Sequence, residues 1–221
     1  MANRATGFQK DVKRIVEECA LIYANNLLNR YVLFGPTDAT RPYEVYFPAD
    51  CFFHLCGIEY KDSRQRVSAA KFFDLACQGR IDANLFKPKY NKRTNDKLSI
   101  LYSLVRIDAT ATKIAPLPLV RYGRTNADYI IFNNNSVVMA VRMDRSGSNS
   151  LIPCSALKDD VPKQTEEKNV GLVLKTEQSD KKYSIVIKPK NGFNDRQESN
   201  RRKVLSKYHG QCTLPWHWRN T

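Results

Sequence analysis

The sequence predicts an α+β fold, in which N-terminal helices are followed by an antiparallel sheet of four to five strands. Apolar residues recur at a spacing near 3.6 over residues 8–29, 68–77 and 96–107, which is the period of a helix with one buried face. From about residue 119 the pattern changes to short β-like runs separated by turn residues. Helices that precede strands, rather than alternate with them, are typical of the α+β class.

The helical part of the chain contains one further short helix and several clear stops. Asp50 is the expected N-cap of a helix that runs through His54 and is ended by Gly57. The helix over 68–77 is closed by Gly79, and residues 116–118, Pro-Leu-Pro, prevent the last helix from continuing. The polar stretch from Gly35-Pro36 to residue 42 indicates a break between the first helix and the rest.

Strands are expected in six places. Residues 43–47 predict a short strand that ends at Pro48, and residues 129–132 and 137–141 predict a hairpin around the Asn-rich turn 133–136. A second hairpin is expected from residues 170–176 and 183–188. Residues 151–153 are expected to form an edge strand, because Pro153 cannot donate a hydrogen bond to a central ladder.

The length of 221 residues allows one domain or two, and no linker forces a division. We expect an N-terminal helix and connector in 1–42, an α+β domain in 43–190, and a basic C-terminal helix and aromatic tail in 191–221 packed on the same body. In that tail, Trp216 and Trp218 flank His217. Docking of the rings on the core is the simpler interpretation, and stacking on nucleic-acid bases is the alternative.

The charge of the chain predicts a polyanionic partner. It has 36 Lys and Arg against 22 Asp and Glu, a formal net charge of +14, which attracts nucleic acid through counterion release. The cations are clustered in residues 87–97 and 181–207, which argues against an inert basic surface. An anionic membrane or an acidic protein are the alternatives.

The sequence also predicts a reducing, cytoplasmic location. The first residues lack an apolar signal segment, and the longest apolar runs are too short to span a bilayer, so no membrane partner is expected. Six cysteines in mostly apolar surroundings are typical of reduced, buried thiols. Cys51, His54 and Cys56 match no common zinc spacing, and no glycine-rich phosphate loop occurs, so neither metal nor cofactor is expected.

Four short stretches together carry a family resemblance. The first stretch, residues 53–60, contains Phe-His-Leu followed by Gly57 and Tyr60. The second contains Lys71 and the Gly-Arg-Ile of residues 79–81, and the third is Lys97-Leu98. The fourth, residues 152–161, contains a Leu-Lys-Asp signature. In order and spacing, over about residues 43–188, they resemble the fourth group of phage nucleases in the Barnase-EndoU-colicin-RelE-like superfamily. The helix at 8–29 and the tail after Lys190 are expected to lie outside the matched region.

The resemblance implies a fold of N-terminal helices and a four-stranded antiparallel sheet. It also implies that the protein is of phage or mobile-element origin and cleaves RNA without a metal, as a toxin-like nuclease does. RNA is therefore favoured over DNA as the substrate, and an inhibitor protein is a conceivable partner. A rival hypothesis keeps the fold without catalysis. In that case the protein binds nucleic acid or a host ribonucleoprotein, as a phage-encoded anti-defence inhibitor would.

His54 is the candidate general base or acid, because an unperturbed imidazole titrates near neutrality. Lys97, Arg121 and Arg124 are the candidates that stabilise the charged phosphate in the transition state. The alternative for His54 is a buried core histidine, since Phe52, Phe53 and Leu55 surround it in sequence.

A second set of residues is predicted to bind nucleic acid through ammonium, guanidinium, hydroxyl or aromatic groups: Lys71, Lys92, Arg93, Tyr122, Ser155 and Lys158. The simpler interpretation of each lysine is a solvated surface charge. Ser155 is equally compatible with the N-cap of a short helix.

Overall fold

The computed structural model describes residues 5–38, 40–61, 67–88, 91–116, 127–133, 137–146, 150–158, 166–177 and 183–187. The helices in these residues are α1 Gly7–Asn26, α2 Ala49–Cys56, α3 Ala69–Cys77, α4 Asn91–Leu104 and α5 Ile107–Thr110, with a 3-10 helix at Ala83–Leu85. The strands are β1 Tyr31–Pro36, β2 Tyr43–Tyr46, β3 Ile58–Tyr60, β4 Phe86–Pro88, β5 Lys113–Pro116, β6 Tyr129–Phe132, β7 Val137–Met143, β8 Leu151–Lys158, β9 Lys168–Thr176 and β10 Tyr183–Ile187. The predicted C-terminal helix and aromatic tail lie outside the described residues.

The predicted helices are present, with shifted ends. Thr6 begins α1 with a capping box completed by Gln9, and Ser68 caps α3 by accepting from the Lys71 amide. The N-cap of α2 is Pro48 rather than Asp50, which instead lies in the first turn. Helix α4 begins at Asn91, five residues before the predicted start, because its first turn is polar and lacks the apolar period.

The main sheet has eight strands in the order β1-β2-β8-β7-β6-β5-β9-β10, and β9 also pairs with β1. Seven of the eight strands therefore close into a ring of pairings, with β10 lying beside β9. All pairings are antiparallel except the contact of β2 with β8. The expectation of four to five strands was wrong, and helices precede the strands only in part, since β1 to β4 come before α4.

Both predicted hairpins are confirmed, because β6 pairs antiparallel with β7 and β9 pairs antiparallel with β10. The prediction that residues 151–153 form an edge strand was wrong, since β8 lies between β2 and β7. Pro153 is accommodated because the register with β7 shifts between Ala140 and Val141, directly opposite it. A bulge is one of the few places in a sheet where a missing amide is tolerated.

The core lies between the helices and one face of the sheet. Its centre is an aromatic cluster in which the Tyr23 ring lies 5.4 Å from Phe52 and 5.6 Å from Phe73, measured between ring centroids. The Tyr23 hydroxyl donates to the Pro48 carbonyl at 2.9 Å, so the buried polar atom is satisfied. This cluster holds α1, α2 and α3 together. In the described part of the chain, no helix has the length and apolarity to cross a membrane.

Candidate active site

The end of α2 is fixed against the middle of α4. Gly57 follows α2 in a left-handed conformation with φ of +66°, as expected for a helix-ending glycine. A Cβ atom at this position would lie 2.2 Å from Cδ of Lys97, so the aliphatic stem of Lys97 rests directly on the glycine. The fully buried Thr94, one turn earlier in α4, donates its hydroxyl to the Gly57 carbonyl at 3.1 Å. Gly57 therefore sets where Lys97 lies.

The ammonium group of Lys97 reaches the sheet at Ser155. Its Nζ donates to Ser155 Oγ at 3.1 Å, across 58 residues of sequence. Ser155 lies in β8, so the interpretation of this residue as a helix cap was wrong. In the register with β7, Ala140 faces Ser155 and Val141 faces Pro153, which leaves Cys154 as the extra residue of a bulge. Such bulges redirect side chains, and this one lies where α4 contacts β8.

His54 is exposed in the last turn of α2, three residues before Gly57. The interpretation of His54 as a buried core histidine was therefore wrong. Cys51, one turn earlier on the same helical face, is buried, and the charge of Arg142 acts on its thiol. Helix α2 contacts β8, while the His54 side chain is exposed to solvent. Its ring centroid lies 6.3 Å from that of Phe53.

Two cations from different elements act on Cys154. Burial raises the pKa of the Cys154 thiol to about 11, while the charges of Arg142 and Lys97 lower it and that of Asp128 raises it. The Cys154 thiol lies against the Ala140 carbonyl at 3.4 Å. A neutral thiol is expected at physiological pH, because burial outweighs the two cations. Arg142 in β7 and Lys97 in α4 are therefore both close to the bulge.

Sequence reasoning missed Arg142. Its side chain is half-buried, and its Nε atom is buried with no hydrogen-bond partner in the part of the chain that the structure describes. The signal was present: residues 137–143 are apolar except for this one arginine. An ionisable residue in such a run is uncommon unless it has a partner or a function.

The chain matches one protein-family model, that of the phage-Barnase-EndoU-ColicinE5/D-RelE like nuclease4 family, over residues 15–192. It belongs to this family. The resemblance seen in the sequence is confirmed, but the match begins inside α1, so the expectation that this helix lies outside was wrong. Comparisons with curated proteins and with solved structures found no match.

Membership of this nuclease family implies a nucleic-acid substrate. The matched range includes the four residues described above: His54, Lys97, Ser155 and Arg142. Lys71 is exposed in the first turn of α3, a different helix from those that carry Lys97 and His54. Lys92 and Arg93 lie in the first turn of α4, and Lys158 is the last residue of β8. Three further candidates from the sequence lie outside the described residues: Arg121, Tyr122 and Arg124.

The cysteines around His54 are engaged in the core. Cys56 is fully buried and its thiol donates to the Phe52 carbonyl at 3.3 Å, while burial raises its pKa and that of Cys51. Within the described ranges, His, Cys, Asp and Glu side chains form no group of three or more that could hold a metal ion. The side chains gathered at the bulge are instead hydrogen-bond donors and cations, which is the chemistry that binds phosphate.

Proposed function

We propose that this member of the nuclease family is a metal-independent endoribonuclease of phage or mobile-element origin, acting on RNA in a cytoplasm. The observation that supports the proposal best is the arrangement around Gly57. The exposed imidazole of His54 lies in the last turn of α2, just before Gly57. The aliphatic stem of Lys97 packs on that glycine, and its ammonium group extends to Ser155. A group that transfers protons and a group that neutralises phosphate are thus held by one turn.

The proposed reaction uses the 2′-hydroxyl of the RNA as the nucleophile. A base removes the hydroxyl proton, the oxygen attacks the adjacent phosphorus, and an acid protonates the departing 5′-oxygen, which leaves a 2′,3′-cyclic phosphate. His54 is assigned one of these two proton transfers. Because the nucleophile is part of the substrate, this route requires no metal-bound hydroxide.

The charge that develops on the phosphate oxygens requires preorganised cations. Lys97 is assigned this role, with the Ser155 hydroxyl orienting its ammonium group. Arg121 and Arg124 are proposed as the further cations of the transition state. The remaining RNA backbone and bases are assigned to the flanking candidates: Lys71, Lys92, Arg93, Tyr122 and Lys158.

The decisive experiment is incubation of the purified protein with labelled RNA and DNA of the same sequence, with and without EDTA. We expect RNA to be cut in EDTA, with cyclic phosphate ends, and DNA to remain intact. His54→Ala is expected to slow cutting by about 10²- to 10⁴-fold, which is the usual contribution of a general acid or base. Its melting temperature should be unchanged, because the side chain is exposed.

Arg80→Ala serves as the matched control, since Arg80 is an exposed residue that contacts Gln78. It should cut RNA at the rate of the unmodified protein. Loss of cutting in EDTA would contradict metal independence. RNA binding without cutting would contradict the enzymatic proposal and favour the alternative, an inhibitor that occupies a nucleic-acid or ribonucleoprotein site.

A further inference from the structure

We propose that Arg142 is an additional substrate ligand of this site, which binds one RNA phosphate through the terminal N–H groups of its half-buried guanidinium. This inference rests on the proposed nuclease function and adds a residue and a binding mode to it. A guanidinium presents two parallel donors that match two oxygens of one phosphate, whereas an ammonium acts as a point charge. Arg142 would thus hold the RNA backbone while Lys97 acts on a phosphate.

The position of Arg142 supports this role. It lies in β7 opposite Ile152 of β8, two residues before the bulge that carries Cys154 and Ser155. The alternation of a strand directs Val141 into the main core, so Arg142 leaves the opposite face, together with Ala140. Cys154 packs against that same second cluster. The side chain therefore emerges beside the bulge, where Lys97 arrives from the helical side.

The hydrogen bonding of Arg142 supports an external partner. A buried donor without an acceptor is unfavourable, and the charge of the whole guanidinium is stabilised when an anion binds its solvent-facing N–H groups. The carboxylate next to this strand, Asp128, accepts from the Met143 amide at 2.7 Å instead. In the described residues, Nε of Arg142 therefore has no internal acceptor.

Electrostatics point to an anion as the missing partner. Arg142 and Lys97 both act on the Cys154 thiol, which burial keeps neutral, so two positive charges share a region where the adjacent thiol does not offset them. Bringing two cations together is unfavourable by itself and becomes favourable when an anion binds between or beside them. A phosphodiester backbone supplies such an anion, because it carries one negative charge per nucleotide.

The test is the salt dependence of binding to a fully 2′-O-methylated RNA, which lacks the nucleophile and remains intact. Arg142→Met, which keeps the length of the side chain, is expected to raise Kd about 10-fold and to reduce the salt slope by about one ion. Arg142→Lys should keep the slope but recover only part of the affinity, because it lacks the paired donors. Arg80→Ala is the control with a lost exposed charge and should change neither as strongly.

Thermal unfolding separates binding from a structural role. If Arg142 is retained for a ligand, Arg142→Met should melt at or above the temperature of the unmodified protein, since it removes an unsatisfied buried donor. A lower melting temperature that Arg142→Lys restores would overturn the proposal, as would an unchanged Kd and salt slope. Failure of the unmodified protein to cut RNA would refute the nuclease proposal alone, because the binding comparison requires no cleavage.

Discussion

Two cations of the main sheet differ in what surrounds their charged groups. Lys175 in β9 is 7% exposed, and its Nζ donates to Asp108 of α5 at 2.5 Å. Arg142 in β7 has a buried Nε for which the described residues supply no acceptor. A charge removed from water is tolerated when an opposite charge replaces the lost hydration. Lys175 is therefore explained by its ion pair with Asp108, whereas the described residues give Nε of Arg142 no such partner.

The largest expected effect comes from breaking the paired cation. Lys175→Met leaves the Asp108 carboxylate, which is 4% exposed, without its partner, and should lower the free energy of unfolding by about 3–5 kcal/mol. Urea unfolding followed by circular dichroism measures this change. The double variant Lys175→Met with Asp108→Leu should recover most of the loss, because no buried charge is left. Equal stability of the single variant and the unmodified protein would remove the distinction between the two cations.

A pair of glycines tests how the site is held. Gly57 and Gly79 both have φ of +66°, but an added Cβ meets Lys97 only at Gly57, whereas nothing lies within 4 Å at Gly79. Both alanine variants should lose about 1–2 kcal/mol from left-handed strain. Gly57→Ala should lose more, and should also weaken RNA cutting and binding by displacing Lys97. Matched stability losses with unchanged activity in both would show that the position of Lys97 does not depend on Gly57.

Alkaline pH should weaken the fold through its buried thiols. Burial raises the pKa of Cys19 to about 12 and that of Cys154 to about 11, whereas unfolded thiols ionise near 8.5. The folded state then binds more protons than the unfolded state, so this contribution is complete below about pH 8.5 and is lost as the pH rises through the folded values. Melting temperatures between pH 7 and 10.5 should fall, and Cys19→Ala should make the decrease shallower. A melting temperature that does not change over this pH range would contradict the prediction.

The smallest expected effect on stability concerns Ser155. Ser155→Ala removes one partly buried hydrogen bond with Lys97 and should cost about 0.5–1.5 kcal/mol. RNA cutting should fall by a larger factor than the stability loss predicts, because the ammonium is no longer oriented. Ser99→Ala is the control, since its exposed hydroxyl donates to the Asp96 carbonyl of its own helix at 2.8 Å. Identical activity in the two variants would argue against a role for Ser155.

Prediction from the sequence succeeded where the signal was local. The helical period, the stop at Gly57 and both hairpins each depend on residues a few positions apart. It failed at β1, where Gly35 and Pro36 indicated a break. In the structure Pro36 pairs with Val170 at a register shift, which permits proline in the strand. Strand β1 pairs with β2, which follows it closely, and also with β9, which lies more than 130 residues away in the chain.

By itself, the sequence determined the α+β class, the family and the net charge of +14 that favours a polyanionic partner, because periodicity, motif order and charge can be read along the chain. Tertiary structure decided that Lys97 meets Ser155, that β8 is internal to the sheet, and that Nε of Arg142 has no acceptor among the residues that the structure describes. These are contacts between distant segments. They depend on how helices and strands pack in space, and packing leaves no period in the sequence.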